Sequence, residues 1–555
     1  MATRKLSPEE LQAVSRLAKQ WGKIVVKHAF GEEGPGLDVD FAQMEEVACA
    51  AARGLTEGAL EAATAQQGQL LGEKQPCPQC GKLCTVGSEE RPLRAKGGVV
   101  PLREPKCYCP TCRRDFFPQR PVLKLDEHGY SPTMMYHILY ATAEVKSHNK
   151  AAKLLDVLDD LPISGRHVNR LAEEVGLEMA ARRDRDVEDF VHHRRQPPTA
   201  PAPEVAVIGL DGGRVLTRES GQGTGVHGQG WKEDKVACLQ TMQGATFSAD
   251  PHPGPPQCFL DAPQVDQMVR DIQANHGKRQ ENELPQLAEL GLDKATTPAS
   301  SATRTPVETP IPVEAMAAAK PAWPPKRTEN SRTCVATMQD CHAFGKMVAA
   351  EAYRRNFHAS PRGALLGDGG AWIWTQHKKW FSYLTPIADF VHPLTYLYVT
   401  ATAVSANVSG RWQQYVGWMT QCWQGGVAHV IADMEARLAQ LEPHTGSRKL
   451  PATDPREVLR RTIGYLRNNQ EHMNYVEYRK QGLPVTSSLV ESLIKEINYR
   501  VKGTEKFWDD PEGAEAILQL RAAVLSDDNR LRTFIMTRPG NATRCHEETE
   551  HRQAA

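Results

Sequence analysis

At 555 residues the chain is long enough for three to four domains of about 150 residues each, which excludes a single small module. Lys+Arg and Asp+Glu number 67 each, a formal net charge of +0, and 24% charged with 40% hydrophobic residues excludes both a wholly disordered chain and a uniformly basic nucleic-acid coat. No run of 18 apolar residues occurs and the first residues lack the apolar core of a signal peptide, so a cytoplasmic protein with no membrane partner is expected.

Residues 1–70 read as two helices. Ser7-Pro8-Glu9-Glu10 combines an N-cap, a proline at the first helical position and a capping-box glutamate, followed by Leu11, Val14, Leu17 and Ala18 at helical spacing. The second runs from about Phe41 to Gln67 and is alanine-rich, the composition of a packing or assembly helix. Residues 71–125 hold six of the 13 cysteines, which in a reducing compartment suggests metal ligation. Cys77-Pro78-Gln79-Cys80 and Cys109-Pro110-Thr111-Cys112 are two C-x-x-C knuckles 28 residues apart. Each knuckle offers two sulfurs to one ion, so Cys77, Cys80, Cys109 and Cys112 are expected to hold a structural Zn²⁺ in a zinc ribbon. Cys84 and Cys107 remain alternatives to a knuckle cysteine.

Residues 77–120 carry nine Lys/Arg against four Asp/Glu, net +5. Arg91, Arg94, Lys96, Arg103, Lys106, Arg113 and Arg114 could contact phosphates, or form a solvated face. Residues 126–195 read as helical, with 147–158 and 164–175 as a helix-turn-helix-like pair broken at Leu161-Pro162. Arg166, Asn169 and Arg170 near the start of its second helix are the candidate readers of base edges.

Residues 196–204 form a proline-stiffened linker. The apolar run 205–210 opens a new domain, expected over 205–530, of strands first and helices later. Within it, 295–330 holds seven prolines and is expected to be a disordered insertion, while 391–480 is largely helical. Residues 531–555 are expected to be a disordered tail.

Two aspartates end apolar strands: Asp211 in Leu210-Asp211-Gly212-Gly213, and Asp368 in Gly367-Asp368-Gly369-Gly370. Asp-Gly after a strand is also hairpin-turn chemistry; as a pair, two carboxylates at strand ends suit a hard divalent cation. Glu491 in Val485-Thr486-Ser487-Ser488-Leu489-Val490-Glu491-Ser492 is a third acid, though Ser488-x-x-Glu491 equally fits a capping box.

In this order, strand-Asp-Gly-Gly, then Gly-Asp-Gly-Gly-Ala-Trp-Ile-Trp, then Leu-Pro-Val-Thr-Ser-Ser-Leu-Val-Glu-Ser, the motifs resemble those of DDE insertion-sequence transposases, most closely the ISKra type, over roughly 205–527. The resemblance implies an α/β RNase H-like core with an α-helical insertion between Asp368 and Glu491. It implies that Asp211, Asp368 and Glu491 bind catalytic Mg²⁺ (or Mn²⁺) for strand cleavage and transfer. Asp389 and His392 are similar to an acid-x-x-His signature of Mutator-related transposases, and Trp231-Lys232-Glu233 to a family strand motif. Residues 448–508 carry a net +5, and Arg500, Lys502 and Lys506 are candidate phosphate contacts. The expected whole is a multidomain, nucleoid-associated DNA transposase whose partners are element ends and target DNA, acting as a homo-oligomer. A transposase-derived DNA-binding protein that no longer cleaves, and another RNase H-like nuclease, are the alternatives.

Overall fold

The computed structural model describes residues 6–217, 230–275, 284–292, 323–329, 331–405, 407–441, 450–486, 488–501, 508 and 511–542, without the side chains of 275, 488–492, 494 and 498. The chain divides into two compact units: Met1–Ala141 with Asn149–Val168 and Leu531–Ala555, and Thr142–His148 with Asn169–Arg530.

The first unit begins with α1 (Pro8–Phe30) and α2 (Phe41–Gln69). The capping box is formed: Glu10 N donates to Ser7 Oγ and Ser7 N to Glu10 Oε2, and Gly31, at φ +81°, ends the helix. Asp40 and Gln43 cap α2 in the same way. The four-stranded antiparallel sheet β1 (Lys74–Pro76), β2 (Leu83–Ala95), β3 (Gly98–Cys109), β4 (Arg114–Phe116) follows. Its long hairpin pairs Val86 with Cys107 through to Ala95 with Gly98. α2 lies against β3, with Val99 N donating to Glu57 Oε1 at 3.1 Å.

After a short α3 (Arg120–Leu123) come α4 (Pro132–Glu144), α5 (His148–Asp159) and α6 (Gly165–Val191). The helix pair starts and turns near the expected places, but α6 runs past residue 175 to Val191. Val168, Leu171, Ala172 and Val175 are all buried at helical spacing, and Ala180 carries the buried face further.

The second unit is built on a mixed sheet. β5 (Val205–Thr217) and β6 (Gly230–Gln243) form a long antiparallel hairpin. α7 (Ala262–Asn275) and β7 (Lys326–Arg327) follow, and β8 (Thr333–Thr337) pairs antiparallel with β6. α8 (Cys341–Arg354) leads to β9 (Arg362–Gly367), which pairs parallel with β5, and α9 (Ala371–Trp380) to β10 (Thr385–Ala388), which pairs parallel with β9. The spatial order is therefore β10-β9-β5-β6, with β7 and β8 both on β6. Residues 205–210 and 363–367 are wholly buried, as expected of strands covered on both faces.

Helices α10 (Val391–Val404), α11 (Val408–Trp423), α12 (Val427–Leu441), α13 (Pro455–Asn469) and α14 (Tyr475–Lys480) form the expected helical region. Its tryptophans serve the core: Trp418 and Trp423 are fully buried and Trp412 packs beside them. α15 (Ser488–Val501) packs against β5 and β6, and α16 (Pro511–Val524) against β8.

Two expectations of disorder are corrected in part. Most of 295–330 lies outside the described residues, but 323–329 is ordered: β7 pairs with β6, and Trp323 Nε1 donates to Leu483 O at 2.9 Å. In the tail, α17 (Arg530–Thr537) buries Leu531 and Ile535, and Phe117 N donates to Ala542 O at 2.7 Å. Amphipathic spacing and backbone pairing order this stretch through residue 542; 543–555 lie outside the described residues.

Candidate functional site

The two knuckles meet in the ribbon. β1 and β2 bracket the first, β3 and β4 the second, and the β2–β3 ladder brings the ends together. The sulfurs of Cys77, Cys80, Cys109 and Cys112 all lie within 4.8 Å of one another, with Cys80–Cys109 at 3.5 Å and Cys77–Cys112 at 3.9 Å. Four sulfurs about 2.3 Å from a tetrahedral Zn²⁺ stand roughly 3.8 Å apart, so the cluster can hold such an ion without rearrangement. The N–H of Cys112 holds the Cys109 thiol down to about 6, and hydrogen bonding with Cys80 pushes Cys112 up to about 12. Four adjacent thiolates do not form together without a cation. Cys84 and Cys107 are not in this set. They pack beneath it with Phe116, and burial pushes the Cys107 thiol up to about 11.

The positive charge of the ribbon is smaller at the surface than the residue count implies. Arg91 and Arg120 both bind Glu104, which is buried, at 2.7 and 2.8 Å, and Lys106 bridges Glu89 and Asp115. The start of α6 faces solvent: Ser164 Oγ accepts from His167 N, Arg166 and Arg170 are exposed, and Asn169 Nδ2 donates to Glu173 Oε1 at 2.6 Å. The His167 ring lies 5.7 Å from Tyr130 and 6.3 Å from His128.

Arg500 is a correction. It is buried, donates to Thr142 O at 2.7 Å and stacks over Trp508, so it braces the fold and presents no charge to a phosphate. Lys502 and Lys506 lie outside the described residues.

The carboxylates are placed by sheet register. β5 and β9 run parallel, with Val205 opposite Arg362 and Gly209 opposite Leu366, where the pairing ends; Asp211 lies two residues beyond that last pair in β5 and Asp368 two residues beyond it in the turn after β9. On the other side of β9, Ala388 is opposite Gly367, and Asp389 N continues that ladder by donating to Gly367 O at 2.9 Å. Asp368 and Asp389 follow directly on the ends of the neighbouring parallel strands β9 and β10; Asp211 is a correction, because β5 does not end there but continues, paired with β6, to Thr217, so this aspartate lies inside a strand of the same sheet. Asp389 is fully buried and its Oδ1 accepts from Val391 N at the start of α10, where His392 occupies the first turn. Glu491 is in the first turn of α15, the helix packed on the strand of Asp211; its side chain lies outside those described. Trp231, Lys232 and Glu233 begin β6, opposite residues 214–216.

The loop after β9 is clamped from α13. Tyr465 Oη donates to Asp368 O at 3.0 Å, and Asn469 accepts from Trp374 Nε1 at 2.8 Å while donating to Tyr465 O at 3.0 Å. The Tyr465 ring stacks on Tyr396, with centroids 3.9 Å apart. Asp368 Oδ1 accepts from Gly370 N, and Asp211 Oδ1 from Gly212 N. A further carboxylate, Asp234, is fully buried opposite Gly213. A Cβ on Gly213 would stand 2.6 Å from Asp234 Oδ1, so the second glycine of the Asp-Gly-Gly motif makes room for it. Sequence reasoning misses Asp234, Tyr465 and Asn469; only the glycine pairs hint that something presses on these loops.

No protein-family model and no curated protein matches this chain.

Proposed function

We propose that the protein is a DDE-type DNA transposase with an RNase H-like core, whose first unit recognises element ends. What supports this reading is the β5–β9 register, paired parallel through Gly209 and Leu366, whose continuation would bring Asp211 in β5 beside Asp368 just past β9, with Glu491 on a helix packed against β5. Adjacent carboxylates in a largely buried sheet repel one another unless a cation lies among them. An all-oxygen donor set beside glycine loops suits Mg²⁺ or Mn²⁺.

Asp211, Asp368 and Glu491 would hold such ions. Bound there, the metal supplies activation of a water or a 3′ hydroxyl and stabilisation of the leaving oxygen in phosphodiester cleavage and transfer. The protein's own contribution is positioning. The parallel ladder holds β5 beside β9 up to two residues before each aspartate, and the Tyr465–Asn469–Trp374 clamp holds the Asp368 loop. Asp389, engaged by the first N–H of α10, supports the strand ends from beside them. The four-cysteine cluster of the first unit, holding Zn²⁺, would stiffen the ribbon, and Arg166, Asn169 and Arg170 at the start of α6 would offer contacts to DNA.

The test is cleavage of a supercoiled plasmid carrying the repeats that flank the coding region, by the full chain with Mg²⁺. Asp211→Ala, Asp368→Ala and Glu491→Ala should each abolish cleavage while gel-shift binding persists. Binding without cleavage by the unaltered protein would favour a DNA-binding derivative instead, and undiminished cleavage by the three variants would remove the site from this chemistry.

A further inference from the structure

α1 is 23 residues long, about 34 Å at 1.5 Å per residue, and none of its residues is buried. A helix of this kind is ordinarily held by packing one apolar face. Here that face is open: Leu11, Val14, Leu17, Trp21 and Ile24 recur at intervals of three and four and are 55–60% exposed. The contact of α1 with α2 is confined to a few residues, and it leaves this stripe uncovered. Capping at both ends, by Ser7 and Gly31, makes α1 a well-bounded helix.

The charges beside the stripe are divided along its length. Glu9 and Glu10 lie in the first turn, whereas Arg16, Lys19, Lys23 and Lys27 follow along the rest of the helix. Two parallel copies would set acid beside acid and base beside base. Two antiparallel copies crossing near Leu17 set Leu11 against Ile24 and Val14 against Trp21, bring Glu9 of each to the level of Lys27 of the other, and oppose the helix dipoles. A lipid surface would favour a polar face basic throughout, which the acidic first turn is not.

We infer that α1 is a self-association element, through which two copies of this chain pair antiparallel along the stripe from Leu11 to Ile24. The pairing is independent of the cleavage chemistry proposed above, and it exists without DNA.

Sedimentation velocity of the full chain across a dilution series tests it. A reversible dimer is expected, and a Leu17→Glu, Trp21→Glu double variant should be monomeric with unchanged zinc content and melting temperature. Lys27→Glu should weaken the dimer severalfold at low salt, and adding Glu9→Lys to the same chain should restore it, because the exchanged charges still meet in an antiparallel pair. Amide exchange within residues 8–30 of the unaltered protein should slow as protein concentration rises, a measurement that needs no variant. A chain that stays monomeric at every concentration, a double variant that still dimerises, or a Glu9→Lys change that fails to restore the pair would each overturn the inference.

Discussion

Gly369 has φ +98°, and a Cβ there would stand 2.8 Å from Asn469 Nδ2 and 2.9 Å from Tyr465 Cε2. Both the backbone conformation and the space exclude other residues, so Gly369→Ala should displace the Asp368 loop, costing about 1 to 3 kcal/mol and nearly all cleavage. Tyr465→Phe is the finer probe. Losing one hydrogen bond costs roughly 1 kcal/mol, but the Asp368 carbonyl then loses its anchor, so the Mg²⁺ concentration for half-maximal cleavage should rise severalfold while DNA binding is unchanged. An unchanged Mg²⁺ requirement would reduce Tyr465 to core packing. Glu491→Gln separates two roles that local sequence leaves joined: glutamine can still serve a capping box, so the variant should melt normally and fail to cleave, and an active variant would leave Glu491 a cap alone. At the ribbon, elemental analysis should find one zinc per chain, and a Cys77→Ser, Cys109→Ser protein should bind none.

At the scale of elements, α6 joins a well-capped start to a long continuation, and its first turns expose Arg166 and Arg170. Arg166→Ala and Arg170→Ala should weaken binding to all DNA sequences and lower the slope of log affinity against log salt by about 0.9 for each phosphate no longer neutralised. Poorer discrimination between element ends and random DNA, at an unchanged slope, would assign these side chains to base edges instead. The Pro-rich insertion divides at Trp323. Removal of residues 295–322 should leave melting temperature and solubility unchanged, since that composition buries little apolar surface, whereas extending the deletion through residue 329 should destabilise the fold by removing β7 and the Trp323 hydrogen bond. A capping box makes the start of α1 readable to the residue, because caps are local chemistry. β10 is not legible in the sequence: Thr385-Pro386-Ile387-Ala388 is too short to show a period, and β9 alone makes it a strand.

At the scale of the second unit, α8 is tied to the beginning of α17 by a charge network: Glu351 binds both Arg354 and Arg530, and Asp528 binds the same two arginines. Burial by itself would raise the Glu351 carboxyl, but Arg530 and Arg354 together hold it well below its ordinary value of 4.5. A depressed folded-state value means that this group stabilises the fold above about pH 4.5 and that its contribution disappears as pH falls below that. The melting temperature should therefore drop steeply in acid. Glu351→Gln should lose about 1.5 to 3 kcal/mol at neutral pH, the contribution of a hydrogen bond to a charged group, since Asp528 still binds both arginines, and show a shallower acid decline. An acid profile identical to that of the unaltered chain would move the linkage to other carboxylates.

Local chemistry determined what the sequence could disclose by itself: the knuckle spacing of the cysteine cluster, the helix starts at Ser7 and Ser164, the buried strand at 205–210, and the end of a strand before Asp368, but not the run of β5 past Asp211 to Thr217, which pairing with β6 decides. These rest on covalent spacing, caps and hydrophobic period, each of which acts over a few residues. Tertiary structure alone decided which of those groups meet. The register of β5 on β9 joins residues 205–209 to 362–366 across 157 positions of sequence, the ladder of β9 on β10 brings Asp389 beside the end of β9, and α13 delivers Tyr465 and Asn469 to the Asp368 loop. It also turned Arg500 inward, engaged Arg91 and Arg120 with the buried Glu104, and set Lys106 between Glu89 and Asp115. Burial and pairing of a charge depend on residues far away in the chain, and no period or spacing records them.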